Sequence, residues 1–179
     1  MINKFEYDYK KLLSTVWNEG DLKPSRAGTV KSAFNMSMTI NPVLDAPILT
    51  GRKIFWQKAY HEYIWIKEGL TTTTYLKQNG IHWWDDFADK NGNLGKTYGY
   101  QFRNFNGEID QLDYINRTVR QDKFSRRLHA TLWNPSELNE TKLPPCYTGI
   151  TFNLNGRGTL DMAVQLISIL FYANGSLFL

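Results

Sequence analysis

A chain of 179 residues, 42% hydrophobic and 15% aromatic, can bury one sizeable core, which excludes a disordered chain and predicts a single domain over 1–179. The net charge of +4 is mild, and without a run of basic residues it fits a pocket for a small anion and argues against a DNA-binding arm. No apolar run reaches the roughly 18 residues of a membrane-spanning helix, and the start carries Lys4, Glu6 and Asp8 where a leader would be apolar, so a soluble, cytoplasmic protein is expected.

From the N-terminus, Tyr9, Leu12, Leu13, Val16 and Trp17 recur at helical spacing and predict a helix over 5–17 that stops at Gly20. The polar stretch 21–28, with Pro24 and Gly28, reads as a loop that carries Arg26. Phe34, Met36, Met38 and Ile40 alternate with polar residues and predict a strand, which Pro42 and Pro47 break. A long aromatic-rich helix is expected over 53–68, containing Phe55, Trp56, His61, Glu62 and Trp65 and closed by Gly69. The threonines at 71–74 can cap a short helix ending near Gly80, and 83–89 reads as one more helical turn. Asn91-Gly92 and Gly95 mark a turn-rich stretch before Tyr98.

Ile109, Leu112, Ile115 and Val119 are spaced for another helix. After Arg126 and Arg127 a strand is expected through Leu128, Ala130, Leu132 and Trp133. Ile150, Phe152 and Leu154 alternate, as do Leu160, Met162, Val164 and Leu166, and the Asn155-Gly156-Arg157-Gly158 segment between them predicts a hairpin. Helices first and antiparallel strands later point to an α+β fold, a mixed or antiparallel sheet backed by helices. The single cysteine, Cys146, rules out an internal disulfide and a cysteine-cluster zinc site, and no metal is expected. By itself it is either a small buried apolar residue or a nucleophile.

Several segments, in order, resemble the thymidylate synthase family. Ser25-Arg26-Ala27-Gly28-Thr29 resembles its early phosphate-binding arginine loop. Phe55-Trp56 with Glu62, Trp65, Gly69 and Thr71 resembles the helix that carries its catalytic glutamate. Trp84-Asp85-Asp86-Phe87-Ala88-Asp89, Gly92, Leu94-Gly95, Tyr98-Gly99-Tyr100-Gln101-Phe102-Arg103 and Asp110-Gln111 resemble the folate-side segment and the tyrosine-glycine motif. Ser125-Arg126-Arg127 through Trp133-Asn134-Pro135 resembles the double-arginine strand, and Leu143-Pro144-Pro145-Cys146 resembles the nucleophile turn.

The resemblance implies the roles. Cys146 would add to carbon 6 of a pyrimidine nucleotide and so turn carbon 5 into a nucleophile for a one-carbon donor, methylene-tetrahydrofolate in this family. A free thiol with pKa near ~8.5 is only a few per cent ionised at neutral pH, so a nearby cation is needed, and Arg126 is the candidate. Pro144 and Pro145 would stiffen the approach. Glu62 would relay protons through water, and Tyr98 would join the network that removes the carbon 5 proton. Trp84 would flank the folate. Arg26 and Ser168 would bind the phosphate, together with Arg126 and Arg127, which in the family reach into the partner's site and so imply a homodimer. Asn134 would hold structure around the site.

The chain also departs from the family pattern. Tyr147 stands where the family has histidine, Ile167 where it has a phosphate-binding arginine, and Leu170 where it has an aspartate that meets folate and base. Only Ser168 fits the motif there. The chain ends at about two thirds of the length expected of such a domain. An end that is truncated or read out of frame is therefore expected, the alternative being a genuine divergent end, with an incomplete sheet, a long apolar edge strand over 159–172 and poor solubility. The expected function is methylation of dUMP to dTMP. The alternatives are hydroxymethylation of dUMP or dCMP, or an inactive homologue that binds nucleotide, RNA or a partner subunit.

Overall fold

A computed structural model describes residues 3–25, 28–44, 46–51 and 53–168, and the backbone of 170–171 and 177–178. The chain divides into two compact units, Met1–Ile54 with Phe171–Leu177, and Phe55–Leu170 with Phe178–Leu179.

In the first unit, α1 (Lys4–Glu19) begins where the Asn3 side chain accepts the Glu6 N–H at 2.7 Å, and it ends at Gly20, whose N–H reaches the Val16 carbonyl. The expected stop at Gly20 is met. Glu6 is buried, and its carboxylate accepts from the Thr50 hydroxyl and the Gly51 N–H at 2.5 and 3.1 Å. The segment expected to be a loop is instead a hairpin, β1 (Asp21–Ser25) antiparallel to β2 (Gly28–Ser32). Pro24 sits in β1 opposite Thr29. A two-stranded ribbon has an open edge on each strand, so proline's missing N–H is tolerated there. The strand expected at 34–40 is absent. Asn35 adopts φ 57°, which breaks an extended run, and Phe34 is almost fully exposed.

The second unit starts with α2 (Trp56–Lys67), three residues later than expected, and Phe55 at its N-cap makes no side-chain capping bond. Gly69 closes it at φ +72°. The α2 end is tied down by Trp65, buried, whose indole N–H donates to the Thr72 carbonyl at 2.9 Å. Next come α3 (Thr74–Gln78), a 3-10 turn at Asp85–Phe87, and α4 (Tyr98–Arg103). Thr73 precedes α3 as expected but makes no side-chain cap bond. The short α4 was not legible from periodicity, since it is one and a half turns long with a glycine inside. That glycine, Gly99, lets α4 meet the end of α2: a Cβ there would stand 3.0 Å from the Gly69 carbonyl carbon and the Leu70 oxygen.

Helix α5 (Gln111–Gln121) is capped by Asp110, which accepts the Asp113 N–H at 2.9 Å. It leads to β3 (His129–Thr131), shorter than expected, then β4 (Tyr147–Leu154) and β5 (Leu160–Leu166). These form one antiparallel sheet in the order β3-β4-β5, and the predicted β4–β5 hairpin is present. Two further strands, Leu170–Phe171 and Leu177–Phe178, pair in a separate small sheet. The long edge strand expected over 159–172 is not continuous: β5 stops at Leu166. Leu160 and Met162 near its start are exposed. The core gathers Trp65, Leu76, Ile81, Trp84, Leu94 and Tyr98 from the helical side with Leu128, Ala130 and Leu132 around β3. Helices with small antiparallel sheets make the fold α+β, as the sequence predicts. No helix among the described residues is long and apolar enough to cross a membrane.

Candidate active site

Cys146 precedes β4 directly after Pro145, which is buried, and is itself partly exposed. The strand starts irregularly. Tyr147 pairs with Leu166 and Gly149 with Gln165, so a bulge lies between them. A bulge of this kind turns the side chains at a strand end away from the regular pleat, and bulges recur beside active sites. The Cys146 carbonyl accepts the Ile167 N–H at 2.9 Å, which fixes the turn against the end of β5.

Tyr98, at the start of α4, is buried, and its hydroxyl accepts the Cys146 N–H at 2.8 Å. Burial pushes the Tyr98 phenol well above its ordinary pKa, and the neighbouring Cys146 adds to this, so it stays protonated near neutrality. The Tyr147 ring meets Tyr98 edge to face at 5.6 Å. Burial, followed by the charges of Glu62 and Cys146, raises the Tyr147 phenol to about 12. Tyr147 therefore presents a neutral hydroxyl where the family pattern has histidine.

Glu62 projects from α2, and its Oε1 accepts from two adjacent indoles, Trp83 Nε1 at 3.0 Å and Trp84 Nε1. Trp84 is enclosed by Trp65, Phe87 and Tyr98, with ring centroids 5.6, 6.1 and 5.9 Å away. It thus links the carboxylate to the tyrosine beside the thiol. The role assigned to Trp84 on the folate side meets a physical obstacle, because the ring is 6% exposed and its faces are in the core. Trp83 and Phe87 are the aromatic side chains near it with open surface, at 37% and 38%. Trp83 is the residue that sequence reasoning missed. Its only signal was a second tryptophan beside the motif tryptophan.

Cys146, Tyr98, Tyr147, Trp84 and Glu62 are thus brought together. The arginines are not. Arg126 and Arg127 lie in an exposed turn before β3, and neither side chain has a hydrogen-bond or ion-pair partner among the described residues. β3 pairs His129 with Thr151 and Thr131 with Gly149, so Arg127 falls near the level of Asn153. That is about 20 Å along β4 from Cys146 at roughly 3.3 Å per residue. Arg126 therefore does not serve as the cation beside the thiol of its own chain. Arg26 lies outside the described residues. Ser168 is exposed and follows Ile167, which is bonded to the Cys146 carbonyl, so it stands beside the Cys146 turn.

Asn134 is buried in a polar cluster. Its amide donates to Asn106 Oδ1 at 2.7 Å and to Glu137 Oε2 at 2.8 Å, and its Oδ1 accepts from the Ser136 hydroxyl. Gln101 Nε2 also reaches Glu137 Oε2, and Lys96 Nζ holds Oε1 at 2.7 Å. Burial raises the Glu137 carboxyl, but Lys96, Gln101 and Asn134 outweigh it and hold the group below the usual carboxylate range. Gln111 extends the cluster by bonding the Gln101 and Thr131 carbonyls, which ties α4 to β3.

The fold and this cluster define an α+β domain that brings one thiol, two phenols and one carboxylate to the same corner. The model of the thymidylate synthase family matches residues 7–169, and the chain belongs to that family. Its members are enzymes that methylate dUMP or act in a related way, with methylene-tetrahydrofolate as co-substrate.

Proposed function

We propose that this chain methylates dUMP to dTMP through covalent attack by Cys146. The observation that carries this reading is the convergence of Cys146, Tyr98 and Tyr147 with the indole-held Glu62. The thiolate adds to carbon 6 of the uracil ring, and the electron pair of the 5,6 double bond moves toward the carbon 4 carbonyl. Carbon 5 becomes nucleophilic and forms the new carbon–carbon bond. Glu62 exchanges the proton of the carbon 4 oxygen through water. Tyr98, fixed by the Cys146 N–H, lies in the network that takes the carbon 5 proton. Elimination of the thiol then restores the double bond.

Methylene-tetrahydrofolate, when bound, supplies the one-carbon unit and the hydride. The partly exposed Trp83 and Phe87 fit a flat heteroaromatic group, and the enclosed Trp84 supports them from behind. The nucleotide phosphate needs several cationic donors. Arg26 and Ser168 serve in the same chain, and the partner's Arg126 and Arg127 complete the set in a homodimer. The position of Arg126 and Arg127 far along the sheet from their own Cys146 supports this arrangement.

The test is an absorbance assay for dihydrofolate with dUMP and methylene-tetrahydrofolate. Methylation oxidises the folate, so absorbance rises with the wild-type chain and not with Cys146→Ser. Consumption of nucleotide without dihydrofolate identifies hydroxymethylation instead, and running dUMP beside dCMP identifies the base. A binding-only reading is favoured by one observation: Ile167, exposed, occupies the position where the family has a phosphate-binding arginine. It predicts nucleotide binding by calorimetry with no product of either kind.

A further inference from the structure

The proposed mechanism gives Glu62 a proton to move and leaves open what holds the carboxylate still. Trp84 is one anchor, and it is part of the core. Trp83 is a second anchor of a different kind. Its indole N–H donates to the same oxygen, Oε1, from a ring that is 37% exposed. The Lys58 ammonium stands 5.9 Å from its centroid and 5.7 Å from that of Phe55. Lys58 lies on α2, one turn before Glu62. The ammonium draws on the electron-rich face of the indole. A ring polarised in this way is a stronger N–H donor. Both indoles take Oε1, and no described residue donates to Oε2. The carboxylate is thus gripped by one oxygen while the other is left for water.

We infer that Trp83 is a positioning residue for Glu62: with Trp84 it clamps Oε1, so that Oε2 alone handles the proton. This rests on the thymidylate synthase reading for its catalytic consequence, but the clamp itself does not. Two neutral donors on a single oxygen fix the plane of the carboxylate without neutralising it, as a lysine or arginine in the same place would. Aromatic packing alone requires neither the indole nitrogen nor its aim at Oε1.

The experiment is a double-mutant cycle on tritium release from carbon 5 of labelled dUMP, using wild type, Trp83→Phe, Glu62→Gln and the double variant. Trp83→Phe keeps the ring and removes the N–H. The expected loss is about tenfold in kcat with KM for dUMP little changed, in line with one charge-assisted hydrogen bond. In the Glu62→Gln background the same substitution has little further effect. An equal loss in both backgrounds, or none in either, overturns the inference. A readout independent of turnover is the indole N–H proton resonance of Trp83, assigned from its absence in Trp83→Phe. It is expected downfield of that of the exposed Trp17 and to move upfield in Glu62→Ala. An unshifted resonance also overturns the inference. Absence of tritium release from the wild type sinks the thymidylate synthase reading instead, and the resonance then decides the clamp by itself.

Discussion

Glu62 and Glu137 are both acidic residues drawn into the second unit, and the chain surrounds them differently. Glu137 has both oxygens engaged, Oε1 by the Lys96 ammonium and Oε2 by the Gln101 and Asn134 amides. Glu62 has one oxygen engaged, by two indoles, and no cation among the described residues. A carboxylate paired with an ammonium and held through both oxygens in this way is a structural tie, since taking up a proton would break the Lys96 pair. A carboxylate held by neutral donors with one oxygen open is fixed in place and still able to exchange a proton. The difference separates a carboxylate that ties the structure together from the one proposed to act in the site.

Substituting the two glutamates breaks the comparison most directly. Glu62→Gln is expected to lower turnover by about 10²–10⁴-fold while changing stability by no more than about 1 kcal/mol, because an amide oxygen still accepts from both indoles. Kinetics and a urea melt on the same sample check it. Glu137→Ala is expected to do the reverse. It removes one acceptor from each of two buried amides and the ion-pair partner of Lys96, and lowers stability by roughly 2–3 kcal/mol, seen as a lower urea midpoint. If Glu137→Ala left the midpoint unchanged, the contrast would fail.

Gly99→Ala probes how the two regions are joined. Its Cβ would press on the backbone of Gly69 and Leu70, so a loss of about 1–3 kcal/mol is expected, with Tyr98 and hence the Cys146 turn displaced. Gly99→Ala with wild-type stability and activity would mean that the α2–α4 contact does not set the site.

The smallest effect is in pH. Thr50, followed by Gly51 and Lys10 against the opposing burial, holds the Glu6 carboxyl low. Glu137 is held low by Lys96, Gln101 and Asn134 against its burial. A lowered folded pKa means that the stabilisation is present above the unfolded value of about 4.3 and is lost as pH falls through the folded values. The urea midpoint is therefore expected to be level above about pH 5 and to fall below about pH 4. The acid slope should be shallower in Glu137→Gln. An unchanged slope would remove Glu137 from the acid response.

Much of this was legible in the sequence. Helical spacing located α1, α2 and α5, and strict alternation located the β4–β5 hairpin, because those patterns repeat over several residues. Cys146, Glu62 and Tyr98 are singled out by motif order, which periodicity does not supply. The bulge at Tyr147 and the Trp83 clamp were not legible, since both arise from contacts between segments distant in the chain. The run at 34–40 misled for a related reason: its alternation is real, but a strand also needs a partner, and Asn35 turns the chain away. The distance of Arg126 and Arg127 from their own thiol became visible only through the β3–β4 register.

The central claim is that Cys146 is presented as a nucleophile beside the indole-held Glu62. Its most direct test is incubation with 5-fluoro-dUMP and methylene-tetrahydrofolate, followed by mass spectrometry of the intact protein and its peptides. The account predicts a covalent adduct of nucleotide and folate on the peptide containing Cys146, absent in Cys146→Ser. A folded chain that binds the nucleotide and yields unmodified Cys146 would contradict it.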